Sequence, residues 1–454
     1  MGSISFSRWY NRSLNRLWGF VEDRTSMKKW ALRPQPEFTF KPSYWTGAFV
    51  VNAFLYQVVS GALLLLYYQP SVSGTLTACG QTPGTLSTAP AAWCSTYYII
   101  HSVPMGALLL STHLYGAYAM IFLMFLHFFR GYYLGVYKSP REFSWMVGTL
   151  LMVFTLGMGF TGYLLPYTAL SYNATNVGIV LALRLPTFGP LLGPFILADG
   201  TPQGLLSRMF DAHVLLIPLA LAALLYAHIA LFESHGIAPP ATSDPLQRRR
   251  YNEKDDKKGV PFMPNILFYL AKWGLLYTGI LFGIAALWPW QLSSYYGNLA
   301  VTQGVTEPDW YFLWLFKLVD FQGVTPVIAV GASTAILVYI LFLPFLDRSK
   351  RTHPRDRPFF IWLATSLLGF FVVMTVWGGE TPGIQIMPMQ VAETIAPIFA
   401  VNAVAVALFH WRYTVSYRRR LAMRPYSLPG AYGPGGTTAA PAAGRPSAEV
   451  RGVE

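Results

Sequence analysis

The chain has 454 residues, 54% of them hydrophobic and only 12% charged, which is more apolar and less charged than a soluble protein of this size. That balance places it in a membrane. The formal net charge of +13 needs no nucleic-acid partner, because basic loops facing an anionic leaflet account for it.

Residues 1–43 are polar and basic and lack the short apolar core of a cleaved signal, so they are expected to stay as a cytoplasmic amphipathic segment. Eight apolar runs follow, beginning near Tyr44, Pro104, Ser144, Asp211, Ile266, Pro326, Phe359 and Val391. Each is near 20 residues, enough to cross about 30 Å of hydrocarbon. The predicted fold is therefore all-α, integral to the membrane, with eight spans. Of the 33 Lys and Arg residues, 29 fall in the two termini and the connections after the second, fourth and sixth spans. Basic residues beside spans stay on the cytoplasmic side, so both termini are expected there.

Spans one to four, over 44–237, form a first half. A Pro- and charge-rich cytoplasmic linker, 238–264, carries Arg248, Arg249, Arg250, Asp255 and Asp256. Spans five to eight follow, over 265–427. Residues 428–454 are rich in Gly, Pro, Ala and Ser, a composition that cannot bury a core and is predicted to be disordered. The long, partly apolar outer loops after the third and fifth spans are expected to lie on the membrane surface as short helices. Cys79 and Cys94 share the loop after the first span, on the more oxidising side. A disulfide is the expectation and two unpaired thiols the alternative.

Histidines inside apolar spans are costly and mark function by default. His113 and His127 are 14 residues apart in the second span, and His213 and His228 are 15 apart in the fourth. At about 100° and 1.5 Å per residue, each pair falls near one helix face with its members about 21 Å apart. Both spans run the same way, so His113 matches His213 in depth and His127 matches His228. Two bis-imidazole sites result. Without carboxylates at these depths, the set suits two haems, each needing two axial ligands, better than a bare metal ion. Gly47 and Gly61 in the first span and Gly148 and Gly162 in the third repeat the 14-residue period, and glycine lets a flat ring or a backbone come close. Arg130 and Arg208 stand at the two depths where propionates want basic partners, or where arginines snorkel to the interface. Glu307-Pro308-Asp309-Trp310-Tyr311, in the outer loop after the fifth span, offers an acid to accept a quinol proton and rings to wall a pocket, or else a membrane-surface aromatic belt with a solvated acid.

On the paired histidines, the paired glycines, Lys138-Ser-Pro-Arg-Glu-Phe-Ser-Trp145, Gly159-Phe-Thr-Gly-Tyr-Leu-Leu-Pro166 and Pro308-Asp-Trp-Tyr311, the sequence resembles the cytochrome b subunit of cytochrome bc complexes. The resemblance implies two non-covalent b-type haems, an outer one on His113 and His213 and an inner one on His127 and His228. It implies oxidation of quinol at an outer site formed by Pro308 to Tyr311 and the segment around Ala174. Quinone reduction is implied at an inner site, for which Glu233, His235 and Asn265 stand near the family's positions. A Rieske iron–sulfur protein, a c-type cytochrome or equivalent acceptor, a homodimeric complex, a prokaryotic plasma membrane and proton translocation follow from the same resemblance. The family's Pro-Glu-Trp-Tyr reads Pro-Asp-Trp-Tyr here, which leaves the proton acceptor open between Asp309 and Glu307. Trp45 stands where some members carry a haem-bearing Cys, so no covalent haem is expected. Against this reading stand a di-haem electron relay without bifurcation, which usually lacks spans five to eight, and a transporter with histidine proton relays.

Overall fold

The computed structural model describes residues 34–75, 79, 89–184, 200–242, 259–297 and 307–422, with a few isolated residues elsewhere. The tail from 428 and the linker residues 248–256 lie outside the described residues. Eleven helices are labelled here in chain order: α1 Thr46–Leu64, α2 Ala91–His101, α3 Gly106–Tyr133, α4 Glu142–Leu164, α5 Ala169–Leu183, α6 Pro202–His235, α7 Leu267–Leu287, α8 Trp310–Val319, α9 Pro326–Leu346, α10 Pro358–Glu380 and α11 Pro388–Ala422. Eight are long and apolar enough to cross a membrane, namely α1, α3, α4, α6, α7 (with its preceding turn from Phe262), α9, α10 and α11. α5 and α8 are the two shorter apolar helices of the loops after the third and fifth spans.

The helix starts follow local chemistry. Thr168, Thr201 and Thr325 each accept a backbone N–H of the first turn of α5, α6 and α9, and proline stands at the first position of α6 and α9, where its missing N–H costs nothing. Asp309 precedes α8 in the same place but makes no cap bond.

α1 packs along α3, and α4 along α6. Gly47 lies by His127 and Gly61 by His113, so α1 and α3 run antiparallel; Gly148 by His228 and Gly162 by His213 say the same of α4 and α6. The second half joins through α7 against α3, and α9 against α4 and α5. At one end the halves are tied by a buried cluster. Asp347 accepts from Lys138 Nζ at 2.6 Å, Tyr137 Oη at 2.6 Å and Arg357 Nη1 at 3.2 Å. Burying one carboxylate with two cations is tolerable because backbone carbonyls of Ser349, Tyr132 and Tyr133 take further donors.

α6 departs from the regular helix. Residues Ala212–Leu216 form one π turn, closed by Ile217 N–H to the Ala212 carbonyl five residues back. Pro218 follows at once and has no N–H to restore the α register. Next to Pro218 the helix therefore carries an inserted residue. Because the π turn absorbs about one residue, the 15-residue interval from His213 to His228 spans the same faces as 14 in a regular helix.

Candidate haem and quinol sites

The two histidine pairs meet across the bundle. His113 and His213 have ring centroids 6.4 Å apart with planes at 77°, and His127 and His228 are 6.4 Å apart at 80°. A metal–imidazole bond of about 2 Å and a ring half-width of about 1.2 Å would put the centroids of a bis-imidazole iron about 6.4 Å apart. Direct ring stacking or hydrogen bonding would bring them closer.

The far nitrogens decide the tautomers. Ser60 Oγ lies 2.9 Å from His113 Nδ1, while the one hydroxyl proton of Ser60 is directed to the Tyr56 carbonyl at 2.8 Å. Ser60 is thereby placed to accept from a proton on His113 Nδ1. His213 Nδ1 donates to the Met158 carbonyl at 3.0 Å, with Thr161 Oγ1 at 3.3 Å. Thr46 Oγ1 is 3.1 Å from His127 Nδ1. His228 Nδ1, beside the Ser144 carbonyl, is buried without a partner in hydrogen-bonding geometry. With Nδ1 protonated in His113 and His213, the lone pair is left on Nε2, the arrangement of a metal-ligating histidine with an outer hydrogen bond.

The four glycines face the imidazoles. A Cβ on Gly162, Gly47, Gly61 or Gly148 would stand 2.5, 3.0, 3.2 or 3.2 Å from the Cε1 of His213, His127, His113 or His228. Each glycine thus makes room for one histidine ring. Arg130 stacks over the Tyr44 ring at 4.4 Å, and its Nε is buried without a partner. An unmet donor one turn from His127 suits an anionic propionate. Arg208 is exposed on α6. The donor set and the spacing fit a haem at each pair, and the unmet Arg130 Nε adds to the fit at the His127 pair.

At the end of the bundle holding His113 and His213, a small cavity is lined by Gly159, Tyr163, Ala174, Pro308, Asp309 and Tyr311 among others. Asp309 Oδ1 accepts from Tyr118 Oη at 2.6 Å, and Oδ2 from Tyr311 Oη at 2.8 Å. Burial pushes the Asp309 carboxyl above the usual carboxylate range, against the two phenol hydrogen bonds. The Glu307 backbone carbonyl accepts from Tyr163 Oη at 2.9 Å. Gly159 is needed because a Cβ there would collide with the Tyr311 hydroxyl. Trp310 opens α8 and packs edge-on to Tyr311 at 5.6 Å. The hydroxyls of Ser60, Thr46, Thr161, Tyr118 and Tyr163 carried no signal in the linear sequence, since hydroxyls and phenols are common in apolar helices.

At the other end, His235 Nδ1 bonds the Leu231 carbonyl at 2.8 Å and Asn265 Nδ2 the Pro261 carbonyl at 3.2 Å. Both bonds stay within their own segments. Glu233 lies on the last turns of α6. Cys79 and Cys94 are joined as a disulfide with Cα atoms 5.0 Å apart.

Two families match in series. "Cytochrome b(N-terminal)/b6/petB" covers residues 118–294 and "Cytochrome b(C-terminal)/b6/petD" covers 296–399. The first begins just after His113. A cytochrome b of Sulfolobus acidocaldarius is 32% identical over 86% of this chain and 70% of its own length. The chain belongs to the cytochrome b family. With that family comes b-type haem. A menaquinol:cytochrome c reductase cytochrome b subunit of Geobacillus thermodenitrificans is 32% identical over half of this chain and 99% of its own. A chain of a hyperthermophilic respiratory Complex III shares the fold with a TM-score of 0.67 and 25% identity, over 86% of this chain and 96% of that one.

Proposed function

We propose that this chain is the membrane subunit of a quinol–cytochrome c oxidoreductase complex that couples quinol oxidation to proton translocation. The observation that carries the reading is a buried carboxylate in an aromatic cavity at the same end of the bundle as one bis-imidazole pair. His113 and His213 would hold an outer haem, and His127 and His228 an inner one with Arg130 facing a propionate. Bound there, the two haems supply one-electron carriage across a low-dielectric interior that side chains alone cannot cross.

In the cavity, Asp309 takes the proton of a bound hydroquinone, because its buried carboxyl has a raised proton affinity and lines the space directly. Glu307 helps through its carbonyl, which holds Tyr163 in the wall. Ala174 is buried against the same space and keeps it open to a ring. One electron of each quinol leaves to a Rieske iron–sulfur partner and then to a c-type cytochrome or equivalent acceptor. Quinone is reduced at the opposite end, near Glu233, His235 and Asn265. The complex is a homodimer in a prokaryotic plasma membrane, with both chain termini cytoplasmic and protons released outside.

The test is the purified complex. Its reduced-minus-oxidised spectrum should show two b-type haems of separable potential, and Asp309→Asn should slow quinol oxidation about 100-fold or more with both haems kept. A preparation without haem, or unchanged turnover in the variant, would overturn the reading.

A further inference from the structure

We infer that Tyr118 is a positioning residue for the quinol-site acid: a phenol on the span bearing His113 and His127 holds the Asp309 carboxylate in the orientation that takes the proton. The inference rests on the quinol-oxidation reading above. Its substance is a contact across 191 residues of sequence, Tyr118 Oη to Asp309 Oδ1 at 2.6 Å.

Asp309 stands at the start of α8, where an aspartate ordinarily accepts a backbone N–H of the first turn. It makes no such bond. Its two oxygens instead each take one phenol, Tyr118 from α3 and Tyr311 from α8 itself. Tyr311 is only two residues away, so alone it would leave the carboxylate free to swing about its side-chain torsions. Tyr118 supplies the fixed second point. An aspartate has one torsion fewer than a glutamate and reaches about one methylene less far, so a donor brought in from a neighbouring span suits it.

Each carboxylate oxygen keeps a second lone pair, and Asp309 lines the cavity. The step served is a proton transfer: one quinol O–H bond breaks, its electron pair stays on the quinol oxygen, and a carboxyl O–H forms on Asp309. Among the described residues, the titratable groups facing Asp309 are Tyr118 on α3, Tyr163 on α4 and Tyr311 on α8, with Glu307 in its own loop. None is a cation paired with it, so hydrogen bonds alone stabilise the carboxylate against burial. Tyr163 is committed to the Glu307 carbonyl and Tyr115, one turn from Tyr118, to the Trp288 carbonyl at 2.7 Å.

The test is Tyr118→Phe in the assembled, haem-loaded complex. Losing a donor to the ionised form raises the proton affinity of Asp309, so the acid limb of the quinol-oxidation pH profile should move about one unit to higher pH. The kcat below that limb should fall about tenfold, with KM little changed. The pH at which the protonated Asp309 carboxyl stretch appears in the infrared spectrum, assigned by its loss in Asp309→Asn, should move equally. Tyr115→Phe should leave both readouts at wild type. If Asp309→Asn abolishes the limb while Tyr118→Phe leaves limb and infrared band in place, the positioning role is overturned and the quinol-site reading stands. If Asp309→Asn leaves the profile unchanged, both fall.

Discussion

Ser60 Oγ lies 2.9 Å from His113 Nδ1 and is placed to accept there, with its own hydroxyl within 2.8 Å of the Tyr56 carbonyl. A hydrogen bond accepted from Nδ1–H makes the imidazole a stronger donor through Nε2 and favours the more highly charged ferric iron. Ser60→Ala should keep both haems but raise the midpoint potential of one, by some tens of millivolts, as read by redox titration of the two b-type bands. Unchanged potentials would show that the serine does not tune His113 through its hydrogen bond.

The glycines should not be equivalent. Gly162→Ala places a Cβ 2.5 Å from His213 Cε1, whereas Gly61→Ala and Gly148→Ala leave 3.2 Å. The first must displace a buried ring, at a cost of about 1–3 kcal/mol. Its haem content should drop towards one per chain, while the other two keep close to two by pyridine haemochrome assay. Equal retention in all three would show that the rings move freely.

The π turn makes a directional prediction about length. Leu215 is 55% exposed and lies inside the turn. Deleting it should turn 212–216 into regular helix, restore a 14-residue interval and keep both haems. Inserting one alanine there should rotate His213 by about 100° and lose one haem. The pair is read by the same haem assay, and insertion tolerated as well as deletion would contradict the register argument.

Asp347 holds Lys138, Tyr137 and Arg357 together where the first and second halves meet. Asp347→Ala leaves two buried cations uncompensated, and removing one partner of such a group costs about 3–5 kcal/mol. The solubilised complex should melt well below wild type or fail to accumulate in membranes. Arg351, whose pairing with Asp356 at 3.8 Å is half-exposed, should be replaceable by alanine with no measurable change. Equal melting of the two variants would mean that the buried cluster contributes nothing.

The spans, the histidine period and the glycine period were all legible in the linear sequence, because helix length and the recurrence of a face depend only on local backbone geometry. So was Pro308-Asp-Trp-Tyr311, a cluster whose chemistry is contiguous. The 15-residue interval was visible too, yet its resolution was not. Whether the helix around Pro218 bends or inserts a residue depends on which N–H each preceding carbonyl takes, and here the Ala212 carbonyl takes that of Ile217, five residues on.

The tertiary structure alone decided which ring each glycine faces, that Ser60 and Met158 fix tautomers, that Asp309 rather than the Glu307 side chain is gripped by two phenols, and that Asp347 joins the halves. Periodicity gives a residue its face but not the rotation, depth and direction of the helix opposite. Those follow from packing all the spans at once, which is why Tyr118 and Asp309, 191 positions apart, could meet at 2.6 Å without any sign in the sequence.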